Sequence, residues 1–111
     1  LDAEGRIFFS VWLNDETIRE KKIYYNIHAL KLRTLKAYKI SSRDFAQNFR
    51  KEFLEYQKEW PNVSVNYGPL TLMQGWVELQ EDSIEKDICE LAQLFLKITP
   101  VIDRILELYK R

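Results

Sequence analysis

The sequence predicts a single α+β domain in which an antiparallel four-stranded sheet carries two helices on one face. Two observations lead to this fold class. Short segments rich in β-branched and aromatic residues occur in pairs, and each pair is followed by a segment with the three- and four-residue apolar spacing of an amphipathic helix. Sequential antiparallel strands with helices on one face make a two-layer sandwich, here in the order ββαββα.

Length and composition agree with this fold class. The 111 residues fit one domain, spanning 1–111, and 46% hydrophobic with 31% charged residues is typical of a globular protein. A chain of this size buries enough surface to fold without a disulfide or a metal ion. Because the chain begins at Leu1 rather than at methionine, a truncated N-terminus is also expected.

The first two strands are predicted at residues 7–13 and 23–30, separated by a polar turn at residues 14–16. In the second strand the apolar side chains occupy one face and change to the other near Ala29. A β-bulge near Ala29 and a helical turn that begins there explain this change equally well.

The first helix is predicted over residues 42–60. Ser41 is suited to cap it, and Asp44 is placed to return the bond. Pro61 ends the helix, because a residue before proline avoids the α conformation. The apolar residues follow at spacings of 4, 4, 3 and 4 on one helical face: Phe45, Phe49, Phe53, Tyr56 and Trp60.

Two further strands are predicted on either side of the turn at Gly68 and Pro69, a short one at residues 63–66 and a longer one at 70–79. Gly75 lies inside the longer strand, where glycine indicates a bulge or the close approach of another backbone or ligand.

The last helix is predicted to begin at residues 81–83 and to be kinked or broken at Pro100. Unbroken, it would be about 38 Å long, which exceeds the expected length of the sheet. Part of its apolar stripe is therefore expected to project. The stripe recurs at spacings of 4 and 3 in turn and consists of Ile84, Ile88, Leu91, Phe95, Ile98, Ile102, Ile105 and Tyr109.

A projecting apolar stripe needs a partner surface. The first functional hypothesis is therefore a non-enzymatic interaction module that self-associates through its C-terminal helix, most simply as a homodimer. Its interface is predicted at Ile98, Ile102, Ile105 and Tyr109.

The second hypothesis follows from the uneven distribution of charge. The chain has zero net charge, but residues 18–51 carry +8, against −3 before them and −5 after them. This segment predicts a face that binds anions or nucleic acid. A solvated surface is the alternative, and a pI near 6.8 is low for a nucleic-acid-binding domain. The proposed cations are Lys31, Arg33, Lys36, Lys39, Arg43 and Arg50.

The third hypothesis is a small-molecule binder or enzyme with a pocket at Tyr25, His28 and Trp76. His28 is the one histidine, and the sequence contains no nucleophile elbow, phosphate-binding loop, dinucleotide-binding glycine motif or metal-ligand spacing. We therefore predict no catalytic residue, no cofactor and no metal site.

The expected location is cytoplasmic. The chain has one cysteine, Cys89, which favours a reducing compartment. No apolar run approaches the roughly 20 residues that cross a bilayer, and no signal peptide is visible, so no membrane association is expected.

Overall fold

A computed structural model describes residues 6–30, 32, 35 and 38–110. The described residues form three strands and three α-helices that alternate along the chain, together with two 3₁₀ turns at Gln57–Glu59 and Glu81–Ser83. The strands are β1 (Arg6–Trp12), β2 (Lys22–Leu30) and β3 (Thr71–Glu78). The helices are α1 (Asp15–Glu20), α2 (Ser42–Phe53) and α3 (Ile84–Leu108).

The three strands form an antiparallel sheet in the order β1-β2-β3, so β2 lies in the centre. Phe9 of β1 lies opposite Ile27 of β2, and Tyr25 of β2 lies opposite Gly75 of β3. The register between β2 and β3 shifts between Ile27 and His28. One face of the sheet is covered by α2 and α3, and the large buried side chains lie between these helices and β2.

The prediction of a four-stranded sheet with two helices in the order ββαββα is wrong. Residues 63–66 contribute one isolated bridge, between Ser64 and Gln74, and no full strand. Asn62 has a left-handed backbone (φ 50°) just before the bridge. Just after it, Tyr67 N donates to Val65 O at 2.9 Å in a tight turn. The segment therefore meets the edge of β3 at a single point.

The predicted turn after the first strand is instead the short helix α1. Asn14 caps this helix: its side chain accepts a hydrogen bond from Thr17 N at 2.9 Å, and Thr17 Oγ1 accepts one from Asn14 N at 2.8 Å. This reciprocal pair is a capping box, which satisfies two backbone donors at the helix start. Asn14 and Thr17 are thus a helix signal within a segment that reads as a turn from composition alone.

The helix α3 runs unbroken through Pro100, so of the two predicted alternatives, a kink and a break, the break is wrong. Proline removes the hydrogen bond to the carbonyl four residues earlier, that of Leu96. Leu96 and Pro100 are both exposed, so this carbonyl lies on the solvent side of the helix. Thr99 Oγ1 donates to Phe95 O at 2.9 Å within the same turn.

Tyr25 occupies the centre of the core and lies against the backbone of β3 at Gly75. Its ring contacts Trp60 and Phe95 at centroid distances of 5.6 and 6.2 Å, and its hydroxyl donates to Pro61 O at 2.6 Å. Burial raises the pKa of Tyr25 well above its ordinary value, so this hydroxyl keeps its proton. A Cβ placed on Gly75 would lie 2.6 Å from Tyr25 Cζ and 3.0 Å from Pro61 O. Gly75 therefore permits a close approach.

We predict that Gly75→Ala destabilises the protein by about 1–3 kcal/mol, because the new methyl group overpacks a site closed by an aromatic ring and a backbone carbonyl. Urea unfolding measures this change. Gly68→Ala is the matched control, because no atom lies within 4 Å of its added Cβ. An equal loss of stability in the two variants would contradict the assignment of Gly75 as a packing constraint.

Candidate functional site

The two outer edges of the sheet can be assigned residue by residue from the hydrogen bonds at the ends of β2. Leu79 N donates to Lys21 O at 2.8 Å, and Ala29 N donates to Leu70 O at 2.9 Å. The backbone groups of a strand point alternately to its two sides. The odd-numbered residues of β2 therefore bond towards β3, and its even-numbered residues bond towards β1.

The same alternation defines the outward groups of the edge strands. In β1 the even-numbered residues pair with β2, as Phe8 does with His28, so the N–H and C=O groups of Ile7, Phe9 and Val11 point away from the sheet. In β3 the register shift beside Ile27 changes the alternation, and from Met73 onward the outward groups belong to the even-numbered residues.

The outer edge of β3 is capped by residues from the preceding loop. Gln74 exchanges two backbone hydrogen bonds with Ser64, at 2.8 and 3.0 Å. Two residues further along, the carbonyl of Trp76 accepts a bond from Asn62 Nδ2 at 3.1 Å. These groups are unavailable to another strand.

Arg50 caps the beginning of the same edge. Its Nε donates to Leu72 O at 3.2 Å, and its Nη2 lies 2.8–3.0 Å from the carbonyls of Tyr67, Gly68 and Thr71. Burial lowers the pKa of Arg50 from its ordinary value, but a guanidinium remains charged in proteins. The side chain ties α2 to the turn before β3. The sequence predicts Arg50 on an anion-binding face and carries no signal for this contact, because the four carbonyls are distant in the chain.

The outer edge of β1 differs from that of β3 in the part of the chain that the structure describes. Within the described part of the chain, no hydrogen bond reaches the outward groups of Ile7, Phe9 and Val11. Proteins usually protect edge strands with charged residues, proline or bulges. Residues 7–13 contain no charge and no proline, and β1 pairs with β2 in an uninterrupted register. We call the outward side of β1 the open edge.

An apolar groove runs beside the open edge. The ring of Phe9 stacks on Phe95 of α3 with a centroid distance of 4.1 Å, yet Phe9 remains 44% exposed. The groove lies between β1 and the C-terminal half of α3 and has a volume of about 340 Å³. We call it the edge groove; its lining residues are Ile7, Phe9, Leu35, Tyr38, Thr99, Ile102, Asp103 and Leu106.

The residues predicted to form a helical interface lie mostly inside the chain's own core. Ile98 and Ile105 are fully buried, and Tyr109 is half-buried with its hydroxyl bonded to Asn48 Nδ2. Ile102 is 8% exposed, and of the four it is the one that lines the edge groove. The structure therefore does not bring these side chains together on the surface.

Two contacts explain why the end of α3 is covered. Lys39 N donates to Tyr109 O at 2.8 Å, which brings the segment before α2 onto the end of α3. Arg104 donates to Glu52 Oε1 at 2.8 Å and joins α3 to α2. The C-terminal half of the α3 stripe is therefore covered by α2 and by Lys39 as well as by the sheet.

Of the other predicted cations, the structure describes two. Lys39 and Arg43 are exposed near the start of α2, whereas Lys31, Arg33 and Lys36 lie outside the described residues.

The predicted pocket at Tyr25, His28 and Trp76 is divided by the sheet. Tyr25 points into the core on the helix-covered face, and the alternation of β2 and β3 places His28 and Trp76 on the opposite face. His28 is half-buried, with Nδ1 3.2 Å from Thr71 Oγ1. The three side chains do not line one cavity.

Comparison with protein-family models, with curated proteins and with solved structures finds no match to this chain. Among the described residues, no group of three or more His, Cys, Asp or Glu side chains is arranged to hold a metal ion. None of the helices in this part of the chain has the length and apolarity needed to cross a membrane.

We predict that Arg50→Ala lowers the free energy of unfolding by about 1.5–3 kcal/mol, because four carbonyls lose a charged donor. Chemical denaturation measures the loss. Lys51, the exposed neighbour of Arg50, provides the control: Lys51→Ala should change the free energy of unfolding by less than about 0.5 kcal/mol. If Arg50→Ala kept full stability but eluted earlier from heparin, Arg50 would be a ligand-binding residue instead.

Proposed function

We propose that this chain is a non-enzymatic interaction module that binds a partner polypeptide by adding a strand of that partner to the open edge of β1. The observation that carries the proposal is the contrast between the two edges of one sheet. The edge at β3 is capped at Leu72, Gln74 and Trp76, whereas the edge at β1 presents outward donors and acceptors beside an apolar groove.

The edge groove supports a preference for a particular kind of strand. Residues that lie directly opposite each other in an antiparallel pair project to the same face of the sheet. Partner residues opposite Ile7, Phe9 and Val11 therefore project towards the helix-covered face, and those opposite Ile7 and Phe9 meet the edge groove. A strand with apolar side chains at every second position fills this space, while its backbone takes up the unpaired N–H and C=O groups.

This proposal keeps the interaction function expected from the sequence and moves its surface from the α3 stripe to β1. The apolar stripe is occupied by the chain's own core, so it supplies little free area. For the alternative of anion binding, Lys39 and Arg43 are available at the surface. The guanidinium of Arg50 is already engaged with carbonyls at the edge of β3. We place the module in the cytoplasm because Cys89, its one cysteine, is free and exposed.

The proposal is tested by selecting ten-residue peptides from a random display library on domain immobilised at low density, so that copies do not pair. We expect the selected peptides to carry alternating apolar residues. We also expect Phe9→Lys, which places a charge at the groove, and Val11→Pro, which removes an outward N–H, each to weaken their binding at least tenfold.

Leu54→Lys is the matched control, because Leu54 is 65% exposed and lies at the end of α2. It should bind the peptides as the parent chain does. Circular dichroism verifies that every variant is folded. Failure to select any peptide, or peptides that bind folded Phe9→Lys and Val11→Pro at full strength, would contradict the proposal.

A further inference from the structure

We infer that the strand which pairs with the open edge belongs to a second copy of this chain, aligned antiparallel about a two-fold axis at Phe9. This inference rests on the proposed function, because it identifies the partner of the same edge. It follows from the register of β1, from the position of α3 and from the capping of β3.

The register of β1 is self-complementary. Phe9 is the central one of the three described β1 residues whose backbone groups point outward, Ile7, Phe9 and Val11. An antiparallel copy centred there places Phe9 opposite the partner's Phe9, and Ile7 opposite the partner's Val11. These are the residues whose backbone groups point outward, so the pairing forms three hydrogen-bonded pairs and about six hydrogen bonds.

The side chains at this junction are compatible with a copy of themselves. Ile7, Phe9 and Val11 from both copies project towards the helices, and β-branched and aromatic cross-strand pairs stabilise antiparallel sheets. Residues 7–13 carry no charge, so this segment does not repel its own copy across the axis.

The position of α3 adds a second contact. A two-fold axis normal to the sheet keeps both helical layers on the same face and brings the two α3 helices towards each other. Leu96 is three residues before Thr99 and seven before Asp103, both of which line the edge groove, so helical spacing puts Leu96 on the same flank. Leu96 is 68% exposed, and the partner's α3 would cover it.

The capped edge of β3 limits the assembly to two copies. A sheet in which both edge strands are open can add copies at each side and grow into a filament. A sheet with one open edge pairs once, and the assembly is then closed. Arg50, Ser64 and Asn62 occupy the outward carbonyls of Leu72, Gln74 and Trp76 and the N–H of Gln74, so a third copy cannot form the full ladder there. The expected product is a dimer with a continuous six-stranded sheet.

Sedimentation equilibrium of the whole chain tests the inference. We expect a reversible monomer–dimer equilibrium, with a dissociation constant raised at least tenfold by Phe9→Lys and by Val11→Pro and changed less than twofold by Leu54→Lys. The proposed interface contains no ion pair. The dissociation constant should therefore vary less than threefold between 0.1 and 0.5 M NaCl, whereas an interface held by ion pairs would weaken as salt rises.

A cysteine cross-link tests the register. In a Cys89→Ser background, Phe9→Cys places two thiols in an antiparallel pair whose Cα atoms are about 5.5 Å apart, within disulfide range. It should cross-link to a covalent dimer under mild oxidation. Leu13→Cys is the control on the same segment, because Leu13 is also exposed but lies far from the partner's Leu13 in this register.

The two proposals fail in different ways. A chain that stays monomeric while its open edge still binds selected peptides would overturn the second-copy inference and leave the proposed function intact. A dimer that persists in folded Phe9→Lys and Val11→Pro, or that cross-links through Leu13→Cys and not through Phe9→Cys, would also overturn the inference.

Discussion

The structure depends on where the backbone donors and acceptors of a three-stranded sheet find their partners. A sheet of this size has two outer edges, and every second residue on each edge presents an N–H and a C=O group that need hydrogen bonds. β2 satisfies the inner groups of both neighbours. At the outer edge of β3, Arg50, Ser64 and Asn62 bond to the carbonyls of Leu72, Gln74 and Trp76, whereas the outer groups of β1 face outward beside an apolar groove.

The capping of β3 and the packing of the core depend on the same loop. The carbonyl of Pro61 accepts a hydrogen bond from the Tyr25 hydroxyl, and the side chain of its neighbour Asn62 donates one to the carbonyl of Trp76. The loop therefore joins the core to the edge of the sheet. Gly75 makes room for the Tyr25 ring beneath this loop. The protected edge is thus joined to the core through this loop, whereas the outward groups of the open edge belong to β1 alone.

Much of the fold was predictable because local signals coincide with tertiary packing. The stripe from Phe45 to Phe53 predicts the buried face of α2, and the β-formers of residues 7–13 and 23–30 locate β1 and β2. The signal for α1 was also present, since Asn14 and Thr17 form a capping box, but polar composition favours a turn there. The strand predicted at 63–66 failed because alternation does not reveal the left-handed Asn62 that precedes it.

The candidate site was largely unpredictable from sequence, since it depends on which strand lies at an edge and on what lies beside it. The apolar stripe of α3 suggested a surface, but Lys39 and α2 cover its C-terminal half. Arg50 resembled an anion ligand because the carbonyls that it binds are distant in the sequence.

Amide hydrogen exchange along β1 tests the central claim most directly. If a second copy adds to the open edge, the outward amides of Phe9 and Val11 become protected as the protein concentration rises. The inward amides of Phe8 and Ser10 stay protected at every concentration. Rapid exchange of Phe9 and Val11 at all concentrations, with the inward amides protected, would show that the edge remains unpaired and would contradict the account.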